Sequence, residues 1–115
     1  MRYIKTYEKV YVDRPEIDDW AIVHLSQNID DELNKFIKSN IGKIVDIGYE
    51  TIEDYRGNQH KSQFYVLNYD TEIPKNIKIW FQDDNNIAFE THEIKYWSKD
   101  REDLELIIAA NKYNL

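Results

Sequence analysis

The sequence predicts an α+β domain built on a small, strongly bent antiparallel sheet, with one helix inserted at about 29–39 and a second at about 99–111. Three observations predict it. Runs of strand-forming residues are short, numerous and interrupted by proline, glycine or polar clusters. Two of them bracket a segment with helical spacing. One long hairpin dominates the middle, and regular crossover helices of the kind a parallel sheet needs are missing. At 115 residues the chain fits one domain, 1–115, around one core.

Residues 3–12, YIKTYEKVYV, alternate imperfectly and suggest a first strand, stopped by Pro15, which has no amide to donate. WAIVHL follows as a strand with Ala21, Val23 and Leu25 on one face and Trp20, Ile22 and His24 on the other. In SQNIDDELNKFIKSN the period changes. Ile29, Leu33, Phe36 and Ile37 form a helical stripe, Asn28 is the expected N-cap, and Asp30, Asp31 and Glu32 meet the amide dipoles of the first turn. Gly42 is expected to turn the chain from helix to strand.

The stretch from Ile41 to Ile52 alternates, with Ile41, Lys43, Val45, Ile47 and Tyr49 on one side and Ile44 opposite; Gly48 marks a bulge or bend. Arg56-Gly57-Asn58 reads as the hairpin tip. The returning strand places Phe64, Val66 and Asn68 on one face and Tyr65, Leu67 and Tyr69 on the other. After Pro74, NIKIWF and IAFE read as strands about a DDNN turn. THEIKYW suits a brief strand or a helical turn. Ser98 is the expected N-cap of the last helix, whose inward face is Leu104, Ile107, Ile108 and Asn111.

DDWAIVHL, SNIGKIVDI, FYVLNY and IAFETHEIKYW together resemble an SH3-like small barrel found in short proteins of Gram-positive bacteria and their phages. Asp19, Trp20 and Val23 match its first element, and Gly42, Lys43, Ile44 and Val45 its second. Tyr65 and Tyr69, or Phe64 and Val66, match the third; Glu93, Ile94 and Trp97 match the closing one. The resemblance covers about residues 18–97 and implies a partly closed barrel. The chain departs from it at Asp18, where glycine is expected, and in the inserted helix. Such barrels host many functions, so this fold fixes none.

Composition narrows the function classes. The 22 acidic against 15 basic residues give a net charge of -7, spread along the chain without a basic cluster, which argues against gripping a phosphate backbone. There is no cysteine, hence no disulfide or thiol chemistry. The N-terminal residues show no continuous apolar run, and no window approaches the roughly 18 apolar residues of a membrane span, so a soluble, cytoplasmic protein is expected.

Motifs for chemistry are absent. His24, His60 and His92 show no ligand spacing, and His92-Glu93 lacks the second histidine of HExxH because position 96 is Tyr96. The three glycines form no phosphate loop, and the serines have no nucleophile context. No cofactor, metal or catalytic residue is expected. Asp83-Asp84 and Glu90-Glu93 are open to approaching each other across a turn, but the expectation is that they form a solvated rim.

The aromatics are the stronger lead, since tyrosine and tryptophan combine broad rigid surface with a polar handle. An interaction surface is expected from Tyr49, Tyr55, Tyr65, Tyr69 and Trp80, rimmed by Asp83, Asp84, Glu90 and Glu93. The function expected is a small acidic protein-interaction module facing a basic protein, in one form a phage-encoded inhibitor or adaptor acting on a nucleic-acid-handling host protein. The alternatives are a nucleic-acid-binding barrel using Arg56, His60 and Lys61, a small enzyme, and a structural assembly protein. A dimer paired through edge strands or aromatics is also open.

Overall fold

The computed structural model describes residues 14–82 and 85–113, so the strand expected at 3–12 and the pair Asp83-Asp84 lie outside the described residues. The elements run β1 (Trp20–Val23), α1 (Asp31–Ser39), β2 (Gly42–Glu53), β3 (Gln59–Asn68), a 3-10 helix (Lys75–Trp80), β4 (Asn86–Glu90), a 3-10 turn (Thr91–Glu93), β5 (Ile94–Ser98) and α2 (Arg101–Tyr113). The strands form one antiparallel sheet in the order β4-β3-β2-β1-β5.

That order dictates the bend. β4 and β5 are consecutive in the chain yet occupy opposite edges. Five flat strands would set those edges about 19 Å apart, and a three-residue 3-10 turn advances only about 6 Å. The sheet must therefore curl until its edges approach at Thr91–Glu93. It does not close into a true barrel, because β4 and β5 share no ladder.

The main core fills the concave side, since both edges contribute: Phe89 from β4 and Ile94 from β5 join Ala21, Val23, Ile44, Tyr65 and Leu67. Leu33 and Ile37 of α1 and Ile77 of the 3-10 helix cover it. A smaller core lies on the outer side, where Leu104 of α2 meets Ile22 and Ile41 beside Trp20, Tyr96, Ile107 and Ile108. β1 thus buries both faces, split as its alternation predicts. The Trp20 ring also lies under two cations, Lys43 Nζ at 5.5 Å and the Arg101 guanidinium at 4.9 Å from its centroid. No helix among the described residues is long and apolar enough to cross a membrane.

Several local expectations are corrected. α1 is capped by Asp30, not Asn28: its Oδ1 accepts from the amides of Glu32 (2.9 Å) and Leu33 (3.2 Å). Ile29 therefore precedes the helix and is exposed instead of joining its buried stripe. The chain leaves α1 through Asn40, extended and with Nδ2 donating to the Phe36 carbonyl at 2.8 Å. Gly42 makes no turn. It permits close approach, because a β-carbon there would lie 2.9 Å from both Leu67 Cδ2 and Tyr69 Cζ.

In β2 the register shifts between Ile44 and Asp46. Val45 is the extra residue, and the bulge puts Ile44 and Ile47 on the same, core-facing side that simple alternation separates. NIKIWF is helical, not a strand: Ile77 N donates to the Pro74 carbonyl (3.2 Å) and Phe81 N to that of Lys78 (3.0 Å). Ile77 and Phe81 pack inward while Ile79 is exposed, which two-residue alternation cannot produce. THEIKYW supplies both of its expected forms, a 3-10 turn and then β5. At α2, Asp100 caps the first turn by accepting from Glu102 N at 3.0 Å. Ser98 braces it instead, accepting from Asp100 N at 3.0 Å and donating to buried Asp103 at 2.8 Å. Asn111 is exposed and not part of the inward face.

Candidate functional site

The segment FETHE sets the corner where the sheet edges meet. Glu90 and Glu93 form a reciprocal cap: the Glu90 carboxylate accepts from the Glu93 amide, and Glu93 Oε1 accepts from the Glu90 amide at 3.0 Å. The other oxygen of Glu93 reaches across to the β1–α1 loop, accepting from the amide (3.0 Å) and hydroxyl (3.2 Å) of Ser26. His24 N donates to the Glu93 carbonyl at 2.9 Å. One side chain therefore fastens the loop 24–29 against the end of β4.

Between that loop and β4 lies a groove of about 520 Å³. Leu25, Ile29, Phe64 and Ala88 give it apolar walls, Ser26, Gln27 and Gln82 add neutral polar groups, and Glu50, Glu90 and Glu93 supply carboxylates. Glu93 is committed to Ser26 and the Glu90 amide, and Glu90 is shared with the Glu93 amide and with His92 Nε2 at 3.4 Å. Glu50 comes from β2, two positions beyond Gly48, and no described residue ties up its carboxylate. The groove suits a group that is positive at its tip and apolar along its stem, as lysine and arginine are.

The structure separates the expected interaction residues. Glu90 and Glu93 do meet, at the groove. Tyr65 and Tyr69 are core residues, 1% and 0% exposed, and are removed from any surface patch: they belong to the concave face of β3, and burial raises both phenol pKa values. The Tyr69 ring stacks edge-on with Phe36 (5.5 Å) and Phe81 (6.1 Å). Tyr49 and Tyr55 are exposed and do not line the groove; Tyr49, though next to Glu50, lies on the other face of β2. Trp80 is partly exposed, and its indole N–H donates to Asp30 Oδ2 at 3.2 Å, one residue from groove-lining Ile29.

The histidines are dispersed. His24 is half-buried, and burial, then Lys38 and Lys95, push its pKa below the ordinary value. His60 meets Asp54 at 3.1 Å near the hairpin tip, where Asp54 Oδ1 also accepts from the Arg56 and Asn58 amides. Among the described residues no three His, Asp or Glu side chains are placed to hold a metal ion.

Sequence reading missed Glu50, Leu25, Ile29, Phe64 and Ala88. Glu50 had a weak signal, as a charged residue on the same strand face as a glycine; the rest carry none, because the groove exists only where five separate segments converge. No family model matches this chain, and no curated protein or solved structure matches it either.

Proposed function

We propose that this protein is a small acidic interaction module that receives a positively charged segment of a protein partner in the groove between β4 and the loop 24–29. The observation that carries this reading is the carboxylate of Glu50, which no described residue engages, lining the same apolar-walled groove as Glu90 and Glu93. Carboxylates beside low-dielectric walls attract cations more strongly than isolated surface charges do, and the net charge of -7 steers basic partners toward the molecule. The partner fitting this chemistry is a basic protein, in one form a nucleic-acid-handling enzyme whose phosphate-binding side chains meet these carboxylates instead. That makes the module an inhibitor or adaptor, in keeping with the small-barrel resemblance.

Direct nucleic-acid binding has weaker support. The Arg56 guanidinium lies 5.4 Å over the Tyr55 ring, and His60 is held by Asp54. These basic groups make no continuous patch.

The test is affinity capture from source-cell lysate with wild type and Glu50→Lys, at low and at about 0.5 M salt. A basic protein held by wild type at low salt, and lost both with salt and with Glu50→Lys, supports the reading. Equal capture by the two proteins, or no partner, overturns it.

A further inference from the structure

The groove has a backbone side as well as a charged one. β4 is an edge strand, paired to β3 through Tyr65↔Phe89 and Leu67↔Ile87, among others. Its outward groups belong to the alternate residues Asn86, Ala88 and Glu90, as the bond from Gln82 N to the Asn86 carbonyl (2.7 Å) demonstrates. The two flanking positions are occupied. Gln82 closes Asn86, and the Glu93 carboxylate closes the Glu90 amide. Ala88 lies between them, exposed and lining the groove, with its amide and carbonyl directed away from β3 and unbonded among the described residues.

Resting on the function proposed above, we infer that the partner enters as an extended strand and pairs its backbone with Ala88. Residues directly opposite in a ladder share a face. Ala88 shares its face with Glu90, with Phe64 and, across Phe64 and Gly48, with Glu50. The partner residue opposite Ala88 is therefore the lysine or arginine, with Glu90 the nearest carboxylate on that face. The closed flanks restrict pairing to one position, which fixes register. A second copy of this chain is disfavoured as the occupant, because pairing at Ala88 brings another Glu50, Glu90 and Glu93 to the same groove.

The probe is a short acetylated peptide alternating lysine and valine, titrated into the full chain with isotope-labelled protein. Saturation slows hydrogen exchange of the Ala88 amide. N-methylating the lysine amides weakens binding by at least about tenfold, the worth of one or two backbone hydrogen bonds; N-methylating the valine amides, which point away, leaves it unchanged. Binding that is indifferent to both methylations, with Ala88 exchange unaltered but lost in Glu50→Lys, overturns strand addition and leaves the charged groove standing. No binding of the parent peptide, together with unaltered partner capture by Glu50→Lys, overturns both.

Discussion

The ring of Phe64 fills the space that a side chain on Gly48 would need. The two residues are direct partners across β2 and β3, and a β-carbon on Gly48 would lie 2.3 Å from Phe64 Cζ and 2.8 Å from Cε1. The ring lies flat on bare backbone, which holds it half-buried and sets one wall of the groove. Glycine here serves packing and needs no unusual backbone angle.

Gly48→Ala is accordingly expected to push the ring off the strand. The cost should be that of overpacking, about 1–3 kcal/mol, read as a lower urea midpoint with unchanged slope. Binding in the groove should weaken in parallel. Combining Gly48→Ala with Phe64→Leu, which shortens the opposing side chain, should recover much of the loss, because contacting residues are not additive. Fully additive effects would contradict the contact.

Tyr69→Phe should stabilise the protein. The hydroxyl is buried with no hydrogen-bond partner among the described residues, and the ring alone supplies the contacts with Phe36 and Phe81. Removing an unsatisfied hydroxyl while keeping the ring should gain about 1 kcal/mol, whereas Tyr69→Ala should cost about 3–5 kcal/mol. Chemical denaturation of the two variants checks both signs. A loss on Tyr69→Phe would mean that the hydroxyl is bonded.

Asp18 holds a backbone conformation that suits glycine. Its φ is 78°, in the left-handed region, while its amide donates to the Ile44 carbonyl at 2.8 Å. Aspartate tolerates this region better than most residues. Asp18→Gly should raise stability by about 0.5 kcal/mol, the relief being partly offset by a more flexible unfolded chain. Asp18→Val, β-branched at positive φ, should lower it by about 1–2 kcal/mol. Thermal melts of the pair settle the order.

What the sequence made legible was local. The alternation of Trp20–Val23 and of Phe64–Tyr69 sorted each strand's faces correctly, because both strands are regular and well buried. The polar run around Arg56-Gly57-Asn58 marked a tip that Asp54 organises through short-range bonds. The bulge at Val45 was hidden, since alternation cannot register an extra residue. Ile77 and Ile79 read as a strand because six residues hold too few periods to separate 2 from 3. The aromatic lead divided by burial: Tyr65 and Tyr69 went to the core, and no composition argument could separate them from Tyr49 and Tyr55. The sequence marked Glu90 and Glu93 only as acidic residues of a rim, and their reciprocal cap was not legible in it. Their partner Glu50 lies 40 residues earlier and needed the curl of the sheet to meet them.

Trp97→Ala should damage folding far more than His60→Ala. Trp97 packs against the main core from β5, opposite Ala21, whereas His60 is exposed on the β2–β3 ribbon with its ring against Asp54. Losing the indole should cost about 3–5 kcal/mol, and His60→Ala should leave the melting temperature nearly unchanged. Equal losses in the two melts, or a larger one at His60, would refute this placement of Trp97.

Acid should weaken α1 through Asp30. Its carboxylate accepts from the Leu33 amide, the Trp80 indole and the Glu32 amide, and these bonds hold its pKa below the ordinary carboxylate value. A folded pKa below the unfolded one means that the unfolded chain takes up the proton more readily. The stabilisation is therefore complete at neutral pH and above, and is lost as pH falls from about 4 through the depressed folded value. Asp30→Asn retains an acceptor for the helix amides but carries no charge. It should melt a few degrees below wild type at pH 7, and the gap should narrow as pH falls through the depressed folded value of Asp30. Other carboxylates protonate in both proteins and cancel from the difference. Trp80→Phe, which removes the indole donor, should close part of the gap at neutral pH. A gap between wild type and Asp30→Asn that stays constant down to about pH 2 would show that the charge on Asp30 contributes nothing to the cap.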